Sequence, residues 1–509
     1  MAASLAALCA CTGPLAQASA ARANRARGVR AAQGAVAVGV SSTRVGRPLP
    51  SGFLGFSFEY PALLAYAGTD PRHLNPVLLS LIRQLNPGQA PLLRIGGNST
   101  DETWWPQPGL LAPEPVSYPL SADWLAVAHA LAVRLRARLI LGINLEANST
   151  ALAADEARAL LWGIGRGSIA ALEVGNEPDL FGRAVWARNR NGRVIRGRAR
   201  AWSFADYLRA FARWRAALPP LPLAGPAFAT VGWMRDLPAL LAAQPLGYVT
   251  FHIYPLRACP VPARSPEHPS IANLLSAYAT SGIAQTVAPF VLEAHAHGIP
   301  FRVDELNSAS CEGARGVSNT FASALWVLDT LFNLAAVGVD GINLHTLPGA
   351  VYAPFTFTRR RGVWRGTVRP IYYGMLMFAR AFPPGAQLLS TSAPRGPLQA
   401  WATIDPDGTI HVVLINESLT VSQQVALTLP GGEISNPPAA PTPEPPLTVQ
   451  SLSAPSASAT GDVSIAGQSY PRQTRSGTLA GRLRAPRLDA VGGRYYVSLP
   501  PASAMMLTR

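Results

Sequence analysis

Short apolar runs alternate with helical patterns from about Gly52 to Phe378. The runs Phe53–Phe58, Leu92–Ile95, Leu139–Asn144, Ala170–Val174, Leu221–Pro226, Tyr248–Tyr254, Pro300–Asp304 and Gly341–His345 read as buried strands. They are short, rich in branched and aromatic residues, and bounded by turn residues. Stretches such as Ser203–Ala217 and Asn319–Val337 carry helical spacing between them. Eight strand–helix units in series predict an α/β architecture, a (β/α)8 barrel, with an open doubly wound sheet as the competing arrangement. After Phe382 the helical spacing stops. Leu398–Ile404, Thr409–Ile415, Val425–Leu429, Tyr495–Leu499 and Ala504–Leu507 then predict a C-terminal β-sandwich, interrupted by a Pro-rich loop over Pro437–Pro446. Ala35–Ser41, ahead of the barrel, is strand-like and suited to joining that sandwich. The expected division is a leader and linker over 1–34, a joining strand over 35–50, a barrel over 51–382 and a sandwich over 383–509.

At 509 residues with 49% hydrophobic and 14% charged content, the chain has ample material for two cores. The formal charge of +15 rests entirely on arginine, because the sequence contains no lysine. That usage, with abundant Ala, Gly and Pro, fits a GC-rich coding bias; an anionic ligand is the other explanation. Seven arginines crowd the stretch after the fourth strand (Arg183, Arg188, Arg190, Arg193, Arg196, Arg198 and Arg200), and Arg359, Arg360, Arg361 and Arg365 follow the eighth. Loops that follow barrel strands lie on the active face, where guanidinium groups suit carboxylates and sulfates. No nucleic-acid reading module accompanies the charge.

The opening Met1 to about Ala21 is Ala/Leu-rich and reads as a secretion signal. Leu8-Cys9-Ala10-Cys11 faintly resembles a lipoprotein attachment site, which leaves a lipid anchor open. No later apolar run is long and clean enough to span a bilayer, so a secreted or extracytoplasmic protein is expected. Cys259 and Cys311 each follow a barrel strand; they either meet as a disulfide or remain two free thiols.

The chemistry is concentrated at two strand ends. Leu172-Glu173-Val174-Gly175-Asn176-Glu177-Pro178-Asp179 delivers an amide and a carboxyl side by side where an apolar run stops. Phe301-Arg302-Val303-Asp304-Glu305-Leu306-Asn307 delivers a second carboxyl three strands later. Two carboxylates at a barrel mouth are what glycoside hydrolysis requires, one to protonate the leaving oxygen and one to attack the anomeric carbon. Such hydrolysis uses no cofactor. The histidines show no metal-ligand spacing, and His295 and His297 fit a solvated helix end.

Longer strings carry a resemblance. Gly55-Phe56-Ser57-Phe58-Glu59, Leu93-Arg94-Ile95-Gly96-Gly97-Asn98, Gly175-Asn176-Glu177-Pro178-Asp179-Leu180 and Ser318-Asn319-Thr320-Phe321 are similar, in order and spacing, to the heparanase and β-glucuronidase family, glycoside hydrolase family 79. Ile410–Asn416 and Val497-Ser498-Leu499-Pro500-Pro501 resemble that family's C-terminal sandwich. The resemblance implies retaining hydrolysis of a β-linked glucuronide or uronate-containing glycan. Glu177 would be the acid/base and Glu305 the nucleophile. Asn176 would hold the sugar's 2-hydroxyl, Tyr254 would hydrogen-bond the nucleophile, and Glu59, Arg94 and Asn98 would line the sugar subsite. Where the family's uronidases use a Tyr-Gly pair to grip the uronate, this chain has Ser310 and Cys311, with Tyr352 as the surviving tyrosine. A neutral-sugar β-glycosidase, or arabinofuranosidase-like hydrolase, is therefore the alternative enzyme. A polysaccharide-binding protein that has lost catalysis is the alternative outside catalysis.

Overall fold

Eight parallel strands close into a barrel in the computed structural model, which describes residues 34–392, 396–430 and 444–509. In chain order they are Leu54–Glu59, Leu92–Gly96, Arg138–Ile143, Ile169–Val174, Leu223–Phe228, Tyr248–Ile253, Phe301–Leu306 and Gly341–Thr346. The expected barrel is present, with two shifts that matter. The fifth strand runs later than Leu221–Pro226, and the seventh extends past Asp304, so Glu305 lies within its strand. The leader, including Cys9 and Cys11, and most of Pro437–Pro446 lie outside the described residues.

Helices pack their apolar faces on the barrel. Phe204–Ala217 begins with a capping box, Ser203 accepting from the Asp206 N–H while the Asp206 carboxylate accepts from Ser203. Ala322–Ala336 and Pro370–Ala381 are buried almost throughout, because the strand-rich sheet covers their outer sides. Trp401 of that sheet stacks on Phe332, with centroids 5.4 Å apart, and its indole N–H donates to Asp329 at 2.8 Å. At the opposite end from the site, a buried Arg302 plugs the barrel by donating to Asn343 (2.7 Å) and to the Gly52 and Ile342 carbonyls. Gly341 makes room for it: a Cβ there would sit 1.9 Å from the guanidinium.

Among the described residues, the second domain forms one continuous ten-stranded sheet. Strand Val36–Val45 pairs parallel with Gln423–Thr428 through its first half and antiparallel with Gln387–Ser392 through its second. An irregularity between Val40 and Arg44 lets it bend from one leaf to the other. Val38, Leu414, Leu427, Leu447, Val497 and Leu507, drawn from strands far apart in the sheet, meet in a single core, so the sheet curls over itself as a sandwich.

Candidate active site

The fourth strand is buried along its length and ends in a tightly fixed turn. Glu177 adopts a left-handed conformation (φ 52°, ψ 48°), which costs a non-glycine residue about 1–2 kcal/mol. Its surroundings hold it there. The Glu177 N–H donates to the Ala227 carbonyl (3.0 Å) at the end of strand five, and its own carbonyl accepts from Leu180 (2.8 Å). Asp179 accepts from the Ala229 and Thr230 N–H groups (3.0 Å each) and from the Thr230 hydroxyl (2.6 Å). Asp101, after strand two, accepts from the backbones of Leu145 (2.7 Å), Glu146 (2.9 Å) and Asn176 (2.9 Å), tying strands two, three and four together beneath Asn176.

Strand seven reaches the site through a bulge. Val303 pairs with Phe251 and Glu305 with His252, so Asp304 has no partner of its own on strand six. Both carboxylates consequently turn toward the interior, against the side-chain alternation of a regular strand. They meet Arg94, which is fully buried. Its Nε donates to Glu173 (2.6 Å), one Nη to Glu305 (2.6 Å) and Ser57 (3.1 Å), and the other to Asn176 Oδ1 (2.9 Å). Arg94, expected to line the sugar subsite, is fully buried and donates to both Glu305 and Asn176.

Glu177 and Glu305 come together across His252, each offering an oxygen within 4.8 Å of the other and of the imidazole. His252 Nδ1 lies 3.1 Å from Glu177 and 3.8 Å from Glu305, and Nε2 lies 3.7 Å from Asp304. The Tyr254 hydroxyl donates to the second Glu305 oxygen at 2.7 Å. His345 stands on the other side, 3.0 Å from the Ser57 hydroxyl, 3.7 Å from Glu305 and 3.5 Å from Glu59.

These environments push the two carboxyls apart. Burial and the nearby Glu305 charge raise the Glu177 pKa against the opposing pull of His252. Burial also opposes ionisation of Glu305, but His345, His252, Arg94 and the Tyr254 hydroxyl overcome it and hold that carboxyl well below the ordinary range. Beneath them, burial and the adjacent Glu173 keep Asp304 protonated far above the usual carboxylate value. Neither Asp304 oxygen has a hydrogen-bond donor in place. Glu173 goes the other way, its burial outweighed by Arg94. A carboxyl pushed toward its protonated form and one held ionised therefore lie less than 5 Å apart.

The remaining predicted residues fall around this pair. Glu59 is held by the Asn98 N–H (3.1 Å), the Ser99 N–H (2.8 Å) and the Ser99 hydroxyl, and Asn98 Oδ1 accepts from Asn176 at 3.3 Å. Tyr352 is buried beside Tyr254, with ring centroids 6.3 Å apart. Cys259 and Cys311 are bonded, their Cα atoms 5.7 Å apart. Ser310 pairs with Arg257 in a two-stranded parallel ladder beside that bridge, and Cys311 and Glu312 both adopt left-handed backbones. Of the arginines after strand four, Arg198 donates to the carbonyls of Leu145, Glu146 and Gly197 and lies over Trp202 at 4.9 Å. It staples a loop and has no guanidinium face to spare. Two histidine–carboxylate groups have metal-like spacing, Glu173–His252–Asp304 and Glu177–His252–Glu305, but Arg94 already supplies the cation between Glu173 and Asp304.

His252, His345, Ser57, Asp101, Glu173 and Asp304 carry this site without having been singled out by sequence. For all but Asp101, which lies after strand two, the one signal is a polar residue inside an otherwise apolar strand, as in Phe251-His252-Ile253 and Leu344-His345.

No protein-family model matches the chain. It is 25% identical over 389 residues to a β-glucuronidase of Aspergillus niger, covering 68% of each chain. It is 24% identical over 388 residues to a β-glucuronidase of Neurospora crassa, covering 69% of this chain and 66% of that one. Among solved structures, a 4-O-α-L-rhamnosyl-β-D-glucuronidase from Fusarium oxysporum superposes with a TM-score of 0.68 at 19% identity, over 92% of this chain and 100% of its own. The GH51 arabinofuranosidase from Xanthomonas axonopodis superposes at 0.64 and 14% identity, over 93% and 99%. The chain is a glycoside hydrolase. Its barrel with an attached strand-rich sheet is the fold those two structures share.

Proposed function

We propose that this enzyme hydrolyses β-linked glucuronides, or glycans bearing uronic acid, with retention of anomeric configuration. The observation carrying the mechanism is the spacing of Glu177 and Glu305, whose oxygens approach within 4.8 Å. Retaining enzymes hold their carboxyls about 5–5.5 Å apart, whereas inverting ones need about 6.5–9.5 Å to admit a water. The two β-glucuronidase relatives support the choice of sugar.

In the first step the Glu305 carboxylate forms a bond to the anomeric carbon. The bond to the glycosidic oxygen breaks, and that oxygen takes the Glu177 proton and leaves with the aglycone. Esterification removes the Glu305 charge that had helped keep Glu177 protonated. Glu177, now the base, then takes a proton from water as the water oxygen bonds to the anomeric carbon and Glu305 departs. Tyr254 and Arg94 stabilise the departing carboxylate through the contacts that hold it at rest. Asn176, fixed by Arg94 and Asp101, presents its amide to the 2-hydroxyl.

A neutral-sugar reading keeps the same chemistry. It is favoured by the loop after Glu305, where Ser310 and Cys311 replace the uronate-gripping pair and are tied into a ladder and a disulfide. The disulfide supports an oxidising, extracytoplasmic location. Nitrophenol release from the β-glucuronide and the β-glucoside, by wild type, Glu177→Ala and Glu305→Ala, separates the readings. Glucuronide turnover abolished by Glu305→Ala supports the uronidase; glucoside turnover alone replaces it with the neutral hydrolase.

A further inference from the structure

A cavity of about 560 Å³ opens on the flank of the barrel, lined by Arg72, His73, Arg134, Arg359, Trp364 and Arg475 among others. None of these residues hydrogen-bonds to the catalytic cluster. The cavity joins four parts of the fold: the helix Pro76–Leu85 with its preceding loop, the end of the helix Ala122–Leu135 that carries Arg134, the hairpin Phe355–Arg360/Val363–Val368 after strand eight, and a segment of the second domain. That segment is fixed rather than draped. Gly366 and Thr474 exchange two backbone hydrogen bonds of 2.8 Å, the Thr367 hydroxyl donates to the Arg472 carbonyl at 3.2 Å, and Gln84 donates to the Gly477 carbonyl.

Four guanidinium groups therefore converge on one opening, and none forms an ion pair with a carboxylate of the described residues. The neighbouring Asp70 is engaged by His73 at 2.7 Å. The four side chains are exposed, so solvent screens their mutual repulsion, and an anion seated among them would gain charge-assisted contacts to more than one guanidinium. Trp364 gives the cavity an aromatic wall that holds Arg359, whose guanidinium lies over the ring at 5.6 Å. Guanidinium forks match carboxylate and sulfate oxygens, and the apolar lining of Leu74, Leu79 and Val363 matches the C–H face of a sugar ring. A sugar ring bearing acid groups offers both. The volume suits one or two such rings. A nucleic-acid strand would ask for a charged groove with successive exposed aromatics, whereas this is a bounded pocket with one tryptophan.

We propose that this cavity is an accessory binding site for an anionic saccharide, carrying carboxylate or sulfate ester groups, outside the catalytic cleft. Holding a polymer there would raise the effective concentration of its other residues at the barrel mouth. The site is independent of which sugar Glu177 and Glu305 cleave.

Calorimetric titration of the full chain carrying Glu177→Gln, which blocks turnover, tests it with four probes: an oligogalacturonate tetrasaccharide, a sulfated maltotetraose, unmodified maltotetraose and a short single-stranded DNA. At least one anionic saccharide binds, and Arg359→Ala/Arg475→Ala weakens it by about tenfold or more, as expected for lost charge-assisted contacts. Trp364→Phe, which keeps the ring, weakens it less. Binding of the carboxylated probe alone assigns uronates, and of the sulfated probe alone, sulfate esters. In the Glu177-intact enzyme, Arg359→Ala/Arg475→Ala leaves hydrolysis of a small aryl glycoside within about twofold. Failure of both anionic saccharides to bind, unchanged affinity in the double variant, or equal affinity for the DNA would overturn the proposal.

Discussion

Replacing His252 with phenylalanine removes the imidazole Nδ1 that lies 3.1 Å from Glu177 while leaving a ring of similar bulk in the buried space. A hydrogen bond to a charged group contributes about 1.5–3 kcal/mol, so its loss disfavours the ionised Glu177 by about that much. The sign follows from which form the bond favours. His252 lowers the Glu177 pKa against burial, so its loss lets Glu177 keep its proton to higher pH. A general acid with a raised pKa moves the alkaline limb of the kcat/KM profile upward. Glu305 loses a neighbour 3.8 Å away as well, so the acidic limb moves in the same direction. A good leaving group would hide the effect, because nitrophenolate departs without help. The substrate should be a phenyl glycoside, whose leaving group resembles tyrosine with a pKa of about 10. Profiles from about pH 4 to about pH 9 for wild type and His252→Phe give the shift directly. A folded variant whose alkaline limb stays in place would refute the coupling between His252 and Glu177.

Four other perturbations probe the support around the site. Asp304→Asn should leave kcat/KM within about threefold and its pH profile unmoved, because the Asp304 carboxyl is already neutral; Glu173→Gln breaks the buried pair with Arg94 and should cost about 3–5 kcal/mol, read as a lowered melting temperature. Asp101→Ala strands three backbone N–H groups at about 1–3 kcal/mol each, and the freed Asn176 should lower kcat more than it raises KM in steady-state kinetics. Removing the Cys259–Cys311 bridge, which spans 52 residues, should cost about 4 kcal/mol by loop entropy; equal melting temperatures for Cys259→Ser/Cys311→Ser and wild type would contradict that.

The barrel was legible because each strand is buried on both faces and writes itself as an apolar run. Glu177 was legible for a related reason: a carboxyl placed where such a run stops has little structural use. Asp304 and Glu305 were harder. In a regular strand, adjacent residues point to opposite faces, and only the bulge against Phe251 and His252 turns both inward. No local pattern announces that extra residue. Arg94 shows the converse limit. The resemblance implied contact with sugar, and only the structure shows the guanidinium fully buried on Glu173 and Glu305. The arginine clusters also divide in a way charge counting could not anticipate: Arg198 holds three carbonyls, while Arg359 faces a flank cavity built partly from the second domain. Strands Gln387–Ser392 and Leu447–Ser453 escaped notice because they are half polar, as outer-leaf strands are.

The central claim is that Glu305 forms a bond to the sugar. Incubation with a 2-deoxy-2-fluoro β-glucuronyl fluoride slows release of the glycosyl-enzyme, and intact mass followed by peptide mapping locates the label. The account predicts one sugar per chain, on Glu305, with labelling abolished in Glu305→Gln and retained in Tyr254→Phe. Labelling of another residue, or turnover of the parent glucuronide to the inverted anomer without labelling, would contradict it.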